Sequence, residues 1–426
     1  MEMTITILIF AVAYIFIALE KFSRIAIVLA GAAAMVIVGS TDADKAFYSH
    51  ETGIDWNVIF LLLGMMIIVG IVHKTGLFEF LAVSAIKKSK GSPKSALVYL
   101  TVLTALASAI LDNVTTILLA IPMTIIVTKY LKVSAVPFIL SQVFLSNIGG
   151  AATLVGDPPN IIIASRAGLS FNSFLIHMAP MVVVVMIVII PLLVFLFRKE
   201  LVNTQGDRDA VMQLEPKEFI KDSVLLKKSL AVLFMVMVAF VLHSVLHLEP
   251  AVVALLGAGV LVAISGLQPK DYVQDVEWAT LIFFGGLFIM VGALVNVGAL
   301  GKFSDYLSDL FGDNTRLATG VILGISAVLS GLIDNIPYVA SMSPVVAELS
   351  AGLIGRQEHV LWWSLAFGAD FGGNATIIGA SANVVAIGLA HRAGIKITFW
   401  TFAKYGLIVT AISVAMVYPY LMYFYF

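Results

Sequence analysis

The sequence predicts an all-α polytopic membrane protein: two inverted repeats, each of five transmembrane helices plus one re-entrant hairpin, with broken helices that meet at the membrane midplane. Three observations predict this fold, namely the composition, an internal repeat and polar interruptions of apolar segments. Of 426 residues, 60% are hydrophobic and 12% are charged, about half the charged share of a soluble domain. Apolar runs near the roughly 20 residues that cross a bilayer recur along the chain.

Composition also excludes several function classes. The chain has no cysteine, which rules out disulfides, thiolate metal sites and thiol catalysis. Its net charge of −1 comes without a basic cluster, so no nucleic-acid partner is expected. The sequence contains no phosphate-binding loop, nucleophile triad or metal-binding cluster, and it does not indicate a cytoplasmic ATPase partner. The expected partners are the lipid bilayer and a small inorganic solute with H+ or Na+; no cofactor or enzyme activity is predicted.

The internal repeat is clearest in the third apolar segment of each half. The stretch IDWNVIFLLLGMMIIVGIVHKTG (54–76) matches VEWATLIFFGGLFIMVGALVNVG (276–298). Trp56 pairs with Trp278 and Gly70 with Gly292, in both cases 222 residues apart (278 − 56). A fixed spacing over a whole segment indicates a duplicated unit rather than glycines shared by chance.

Two further motifs repeat at nearly the same spacing. SAILDNVTT (108–116) matches SGLIDNIPY (330–338), and GGAATLVGDPPN (149–160) matches GGNATIIGASAN (372–383). The first pair carries an Asp-Asn in the middle of an apolar segment, and the second is rich in glycine. Each half therefore contains one segment expected to fold as a re-entrant hairpin and one expected to be a broken helix.

Each half then has the same predicted order. Two spans come first (about 4–20 and 24–39; 228–246 and 250–266), then a third (56–73; 278–296), a short helix with charge (77–90; 299–311), the hairpin (95–130; 316–350), the broken segment (135–166; 357–391) and a last span (174–197; 399–425). The predicted domains are a first repeat at 1–197 (scaffold helices in 1–90, hairpin and broken helix in 93–166), a cytoplasmic linker at 198–227, and a second repeat at 228–426 (scaffold helices in 228–311, hairpin and broken helix in 315–392). Five crossings per half is an odd number, so the halves are inverted, as in many secondary transporters.

Positive charge sets the expected orientation. With the N-terminus outside, 20 of the 25 lysines and arginines fall on the cytoplasmic side, as the positive-inside rule requires. Both termini are then outside a prokaryotic plasma (inner) membrane, which the chain crosses several times. The first hairpin opens from the cytoplasm and the second from outside.

Chemistry is expected where the backbone is broken at membrane depth. Unpaired backbone groups are tolerated there only inside protein or beside a wet cavity, and half-helix ends bind ions in transporters. Hairpin tips and broken helices from both halves should therefore meet in one site. The predicted solute- and ion-binding residues are Asp112, Asn113, Thr116, Asn147, Thr153, Asp157, Asn160, Asp334, Asn335, Asp370, Asn374, Thr376 and Asn383.

Four aspartates are the sharpest part of that prediction. A carboxylate inside the membrane costs roughly 2.5–3.5 kcal/mol on insertion scales and indicates a functional role. Asp112 and Asp334 occupy equivalent places and are expected to exchange protons, whereas Asp157 and Asp370 have no repeat equivalents. The alternative is that these carboxylates only cap half-helices.

Amides and hydroxyls are expected to complete the site. Among the predicted residues, Asn113, Asn335, Asn160 and Asn383 should contact solute, together with the equivalent hydroxyls of Thr153 and Thr376. No metal cofactor site is predicted. A transported Na+ would be held by the two tips, at Asp112, Asn113, Asp334 and Asn335.

At SNIGGAATLVGDPPNIIIASRAG and AILDNVTTILLAIP the sequence resembles the ion transporter superfamily. Within it, the sequence looks like the branch of the arsenite/antimonite permeases and the sodium–proton antiporters, which includes the P protein; the divalent anion–sodium symporters are more distant. The resemblance covers nearly the whole chain. It implies a homodimer in which the early helices of each half form a fixed scaffold. The resemblance also implies that the hairpins and broken helices form a transport domain that moves as an elevator.

The tips depart from the dicarboxylate relatives, which carry Ser-Asn-Thr there. This chain has Asp112-Asn113-Val114 and Asp334-Asn335-Ile336. Two like charges about 4 Å apart repel by about 4 kcal/mol at an effective dielectric constant of 20, so a dicarboxylate is disfavoured unless these groups are protonated. The expected function is proton-coupled export of a metalloid hydroxide, as in the arsenite permeases. The alternatives are a Na+/H+ antiporter and a Na+-coupled organic-anion carrier.

Overall fold

A computed structural model describes residues 2–19, 22–202, 213 and 215–426, and within these ranges the chain forms helices and no strand. The helices of the first half are α1 (Glu2–Leu19), α2 (Arg24–Ile37), α3 (Ala43–Tyr48), α4 (Trp56–Lys74), α5 (Leu77–Ser89), α6 (Pro93–Ser108), α7 (Asn113–Leu131), α8 (Val136–Gly150), α9 (Pro158–Ala167), α10 (Phe171–His177) and α11 (Ala179–Leu196). Part of the predicted linker, 203–212 and 214, lies outside the described residues.

The second half has the same order after a 3-10 turn at Pro216–Phe219, except that no described helix corresponds to α10. Its helices are α12 (Ser223–Leu246), α13 (Pro250–Ser265), α14 (Pro269–Val273), α15 (Trp278–Asn296), α16 (Ala299–Phe311), α17 (Thr315–Leu332), α18 (Asn335–Ser350), α19 (Val360–Gly372), α20 (Ser381–Arg392) and α21 (Phe399–Tyr425). The all-α membrane fold is confirmed. The connecting helices α3, α10 and α14 were not predicted, because segments of five to seven residues are too short to show a helical period.

Length and composition alone do not identify the membrane crossings. Eight of the described helices are long and apolar enough to cross a bilayer, and two of them, α7 and α17, are arms of the predicted hairpins. The helices α2 and α13 were predicted as spans, yet they have 14 and 16 residues. The turn of the chain at each tip, rather than hydropathy, separates a hairpin arm from a crossing.

The two halves pack on each other reciprocally. Helix α4 of the first half lies against α13 of the second, and α15 of the second lies against α2 of the first. The hairpin and broken helices do the same, since α7 contacts α20 and α18 contacts α9. Exchanged contacts of this kind are those of an isologous, twofold interface. The duplicated sequence therefore forms one pseudo-symmetric body rather than two separate bundles.

Glycines allow each broken helix to approach its own hairpin closely. A Cβ on Gly149 would lie 2.2 Å from the carbonyl oxygen of Ala105, and a Cβ on Gly372 would lie 2.5 Å from that of Ala327. Both contacts join the first hairpin arm to the first part of the broken helix, in equivalent places of the repeat. Hairpin and broken helix of each half are therefore held together backbone to backbone.

We expect Gly149→Ala and Gly372→Ala each to destabilise the fold by about 1–3 kcal/mol, because the added methyl overpacks a backbone contact that cannot yield easily. The measurement is thermal unfolding of the purified protein in detergent. Gly324→Ala is the matched control, because its Cβ meets no atom of the described chain within 4 Å. A control that melts lower than both variants would contradict the packing argument.

Candidate functional site

The two hairpin tips and the two breaks form a buried centre. The tips are residues 109–112 and 333–334, and the breaks are residues 151–157 and 373–380. All of the first break is buried, and so is the second except for two residues of its 3-10 turn. Non-helical backbone at such depth is stable only when protein groups or water satisfy it, so the hydrogen bonds of these segments show how the centre is built.

Both tip aspartates cap the helix that follows them. Asp112 Oδ1 accepts from the backbone N–H of Thr115 at 2.7 Å, and Asp334 Oδ1 accepts from that of Ile336 at 3.1 Å. Both carboxylates are buried, Asp112 at 8% and Asp334 at 2% exposed. The capping alternative is thus realised at both tips. It uses one carboxylate oxygen of each residue; the other oxygen of Asp334 accepts from Arg24 and Ser381.

Repeat-equivalent threonines and asparagines hold the breaks together. Thr153 Oγ1 donates to the carbonyl of Ala109 at 2.5 Å, and Thr376 Oγ1 donates to that of Gly331 at 2.6 Å. Asn160 donates to the carbonyls of residues 150 and 153, and Asn383 to those of residues 373 and 376. These side chains tie each break to itself and to its hairpin. Their contact with solute stays a prediction, in which their oxygens would accept hydrogen bonds from the solute.

Thr153→Val and Thr376→Val should lower the free energy of unfolding by about 1–3 kcal/mol, because each removes the donor of a buried carbonyl group. Thr→Ser at the same positions keeps the hydroxyl and should retain most of the stability. Thermal unfolding in detergent and solute flux in vesicles, measured on the same variants, separate the two roles. Valine variants with wild-type melting but no flux would assign the hydroxyls to the solute instead.

Asp157 lies where the two halves meet. Its Oδ2 accepts from Asn113 of the first tip at 2.8 Å, and the amide of Asn335 of the second tip approaches both oxygens at 3.4 and 3.5 Å. Although Asp157 precedes α9, its side chain makes no capping hydrogen bond, and it is 1% exposed. One carboxylate thus receives amide groups from both hairpins.

A chain of amides continues from this point into the second half. Asn147 Oδ1 accepts from Asn113 at 3.2 Å, while its Nδ2 donates to Asn374 at 2.9 Å and Asn383 at 3.0 Å. Asn374 in turn donates to the carbonyl of Phe144 at 3.3 Å. The four asparagines are almost completely buried. They connect the two breaks across the pseudo-twofold relation through side chains that can both donate and accept.

Asp370 differs from the other three aspartates in lacking a well-formed hydrogen bond. It is completely buried, and no described donor meets either of its oxygens with hydrogen-bond geometry, although the side chain of Asn160 lies beside it. It is close enough to Asp157 for the two carboxyl groups to repel each other when both are ionised. An unpaired buried charge is too costly to persist. Asp370 is therefore stable only with a proton, a cation or a solute donor.

Other predicted residues also keep unused polar atoms at the centre. Asn113 Oδ1, Asn160 Oδ1 and the hydroxyl of Thr116 are buried without a partner among the described residues. All three are oxygens that accept hydrogen bonds or bind hard cations. No group of three histidine or acidic side chains suited to a metal ion occurs in the described part of the chain.

Sequence reasoning placed its emphasis on Asp112 and Asp334, but the structure puts Asp157 between the two tips. Repeat equivalence could not show this, because Asp157 aligns with Ala380. Sequence reasoning also missed Arg24, whose Nη1 donates to Asp334 Oδ2 at 2.8 Å. Arg24 lies at the start of an early helix, where positively charged residues commonly mark the membrane interface. No sequence signal links it to a hairpin 310 residues away.

Cavities reach towards the centre from two directions. One of about 520 Å3 is lined by Thr115 in the first turn of α7 and by the acidic side chains of Glu79, Asp275 and Glu277. Another of about 540 Å3 is lined by Leu154 in the first break and by Ser165. In the predicted topology the first lies on the cytoplasmic side and the second on the outer side.

Comparison with known proteins identifies similar chains over the full length. A family model described as "Citrate transporter" matches residues 14–368. An uncharacterized transporter of Mycobacterium tuberculosis is 52% identical over 424 residues, covering 99% of this chain and 98% of that protein. A 46 kDa membrane protein of Mycobacterium leprae is 50% identical over 414 residues, covering 97% of this chain and 96% of that protein.

Two more distant similarities bear on the fold. The human P protein is 32% identical over 498 residues; the alignment covers 98% of this chain but 59% of the P protein. The YdaH transporter of Alcanivorax borkumensis, whose crystal structure is described as having an unusual topology, superposes with a TM-score of 0.60 at 15% identity, covering 91% of this chain and 86% of YdaH. These matches agree with the prediction of a multi-pass membrane transporter rather than an enzyme.

Proposed function

This chain belongs to the citrate transporter family within the ion transporter superfamily, and on that premise we propose that it is a proton-coupled secondary transporter that exports a neutral metalloid hydroxide in exchange for H+. Arsenous and antimonous acid are the solutes of this chemistry. Family membership establishes a secondary transporter; the solute and the coupling ion are the proposal. It is supported by the acidic and amide-lined centre.

The observation that carries the proposal is the pair Asp157 and Asp370 inside a shell of asparagines. A neutral hydroxide has O–H groups that donate to carboxylate oxygens and oxygen atoms that accept from amide N–H groups. Asp370, with both oxygens unused, supplies acceptors, and the amide chain through Asn147 supplies donors and acceptors. Because the solute is neutral, it adds no charge to a centre that already holds four carboxylates.

Coupling follows from the cost of moving charge through the membrane. When no solute is bound, the centre crosses with protons on its carboxyl groups. When these protons leave on the other side, the ionised carboxylates accept hydrogen bonds from the O–H groups of a neutral solute. These hydrogen bonds disperse the negative charge, so the loaded centre returns at a lower cost than an ionised centre without solute. The moving body in this proposal is the set of hairpins and broken helices (α6–α9 and α17–α20), and the early helices form the fixed scaffold.

A second candidate is Na+/H+ antiport. The unpartnered oxygens of Asn113, Asn160 and Asp370 are hard ligands of the kind that alkali and alkaline-earth cations prefer. A third candidate is a Na+-coupled organic-anion carrier, favoured by the family description as a citrate transporter. An organic anion at this centre would have to arrive with cations or protons that neutralise the four carboxylates.

The deciding experiment is transport in proteoliposomes with an imposed pH gradient and an internal pH-sensitive dye. The proposal expects arsenite movement driven by the pH gradient and unaffected by replacing Na+ with choline. Proton release elicited by Na+ alone, without arsenite, would overturn it in favour of antiport. Citrate uptake that requires Na+ would overturn it in favour of the third candidate.

We also propose a homodimer in a bacterial plasma membrane, with both termini outside. An apolar groove of about 580 Å3 between α1 and α2, lined by Leu8, Val12 and Phe16 among others, is one candidate contact for a second copy. Light scattering of the detergent-solubilised protein gives its mass and so tests whether it is a dimer. The cysteine-free sequence allows single cysteines at positions 2 and 426, and an impermeant thiol reagent should label both from outside.

A further inference from the structure

One early helix of the first half is bound directly to the hairpin of the second half. Arg24 Nη1 donates to Asp334 Oδ2 at 2.8 Å and to Ser381 Oγ at 3.2 Å, and Ser381 Oγ donates to the same Asp334 oxygen at 2.6 Å. The three residues belong to α2, the second hairpin tip and the first turn of α20. Asp334 is 2% exposed, whereas Arg24 keeps 24% of its side chain accessible.

We propose that Arg24 is a resident cation of the transport centre: it neutralises Asp334 in the state seen here and separates from it when the hairpins and broken helices move. This inference rests on the proposed function, because it takes the buried centre as the transport site. It assigns to Arg24 the place that a bound cation would otherwise have to fill. It also removes Asp334 from the set of groups that exchange protons.

The first step of the argument is the cost of the charge. A buried carboxylate that is ionised needs a paired cation and hydrogen bonds to its remaining lone pairs. Asp334 has both, since Oδ1 accepts from the backbone of Ile336 and Oδ2 from Arg24 and Ser381. The carboxylate is therefore compensated without any added ion.

The second step is the asymmetry between the two tips. Asp112 occupies the place equivalent to Asp334, but its neighbour on the scaffold is the acidic Glu277, directly before α15. Glu277 lines the same cavity as Thr115, whose backbone N–H donates to Asp112. The scaffold thus presents a basic side chain to one tip and an acidic side chain to the other. Exchangeable protons or cations are needed at Asp112, Asp157 and Asp370, whereas Asp334 is already paired with Arg24.

The third step is that Arg24 has somewhere to go. It lines a crevice of about 350 Å3 together with Phe22, Ser381 and Val385. A guanidinium that leaves Asp334 can therefore be hydrated in this crevice. The neighbouring helix holds the same hairpin, because the Tyr14 hydroxyl contacts Ser341 and the carbonyl of Pro337. The Arg24 pair is thus part of the boundary between scaffold and moving body.

A double-mutant cycle on stability tests the pair without knowledge of the solute. Arg24→Gln and Asp334→Asn should each lower the Tm in detergent by several degrees, and the double variant should recover most of the loss, since both charges are then gone. Arg24→Lys should keep part of the stability. Arg24→Gln should be restabilised by NaCl relative to choline chloride at equal ionic strength, and by lower pH, because either replaces the missing cation. Wild type should respond less than Arg24→Gln, because its Asp334 is already compensated by Arg24.

Transport measurements separate a resident cation from a merely structural contact. In proteoliposomes Arg24→Gln should lose about tenfold or more of the flux at neutral pH, with recovery in Na+ or at acidic pH. Arg356→Gln, an exposed loop arginine, should behave as wild type. The inference is overturned if Arg24→Gln melts and transports as wild type, or if the double variant is no better than the single variants. Absence of proton-driven arsenite flux in wild type would refute the proposed function alone, because the stability cycle does not depend on it.

Discussion

Asp157→Asn is expected to abolish proton-coupled transport while the protein remains folded. The asparagine side chain would have nearly the same shape, and its carbonyl oxygen would still accept from Asn113, which lies 2.8 Å from the carboxylate in the native chain. It cannot carry a proton on and off, however, and the change removes one of four neighbouring negative charges. Because like charges in a low-dielectric site repel, the Tm should stay the same or rise.

Paired measurements check this expectation. Proton flux and arsenite flux are recorded in the same vesicles, and thermal unfolding is recorded in detergent. Asp309→Asn, in which an exposed carboxylate of α16 is changed, is the matched control and should leave both fluxes intact. Wild-type coupling in Asp157→Asn would show that the carboxylate between the tips is not a proton-exchanging group. It would move the coupling to Asp370 or Asp112.

Asp112→Asn and Asp334→Asn should both lose transport, but only Asp334→Asn should lose stability. Asparagine caps a helix about as well as aspartate, so the capping bonds to Thr115 and Ile336 survive both changes. Asp334→Asn removes the buried carboxylate that pairs with Arg24. Removing one partner of a fully buried pair typically costs about 3–5 kcal/mol, and the cost here should be smaller because the Arg24 side chain is partly exposed. Asp112→Asn instead removes a carboxyl group beside the acidic Glu277.

Thermal unfolding and vesicle transport on the two variants, side by side, measure this contrast. Asp112→Ala is an additional control, since loss of the cap alone should cost about 1 kcal/mol. Equal melting of the two asparagine variants would contradict the assigned difference between the tips. Full transport in Asp112→Asn would exclude Asp112 from the coupling.

Much of the fold could be predicted from the sequence because its signals are local. Apolar runs predict helices in a membrane, and the Asp-Asn and Gly-rich motifs predict where those helices stop. The repeat in Trp56 and Trp278 predicts that the two halves share one order of elements, and the structure has that order. The short helix α3, which Asp42 caps, was missed because it has too few residues to show a helical period.

The sequence predicted that four aspartates would gather at the centre, but not how they are arranged. Asp112 and Asp334 lie at the tips, Asp157 ends the first break and Asp370 lies in the last turn of α19. All four are close enough to interact, and their role in transport stays a prediction. Repeat equivalence says which residues correspond, but it does not say which of them come together. Thr153 and Thr376 were expected at the solute because they correspond. In the structure each donates to a carbonyl group of its own hairpin, and their contact with solute stays a prediction.

The sequence by itself determined the helical membrane class, the duplication, the positions of the broken segments and the acidic character of the centre. Only the tertiary structure decided that Asp157 joins both tips and that Asp334 is paired with Arg24. The physical reason is that both contacts connect residues of different halves. Such contacts depend on how α2, α9, α18 and α20 pack across the pseudo-twofold relation. Local propensity and hydropathy carry no information about that packing. Because the centre is buried, a charged side chain is stable there only next to such a partner.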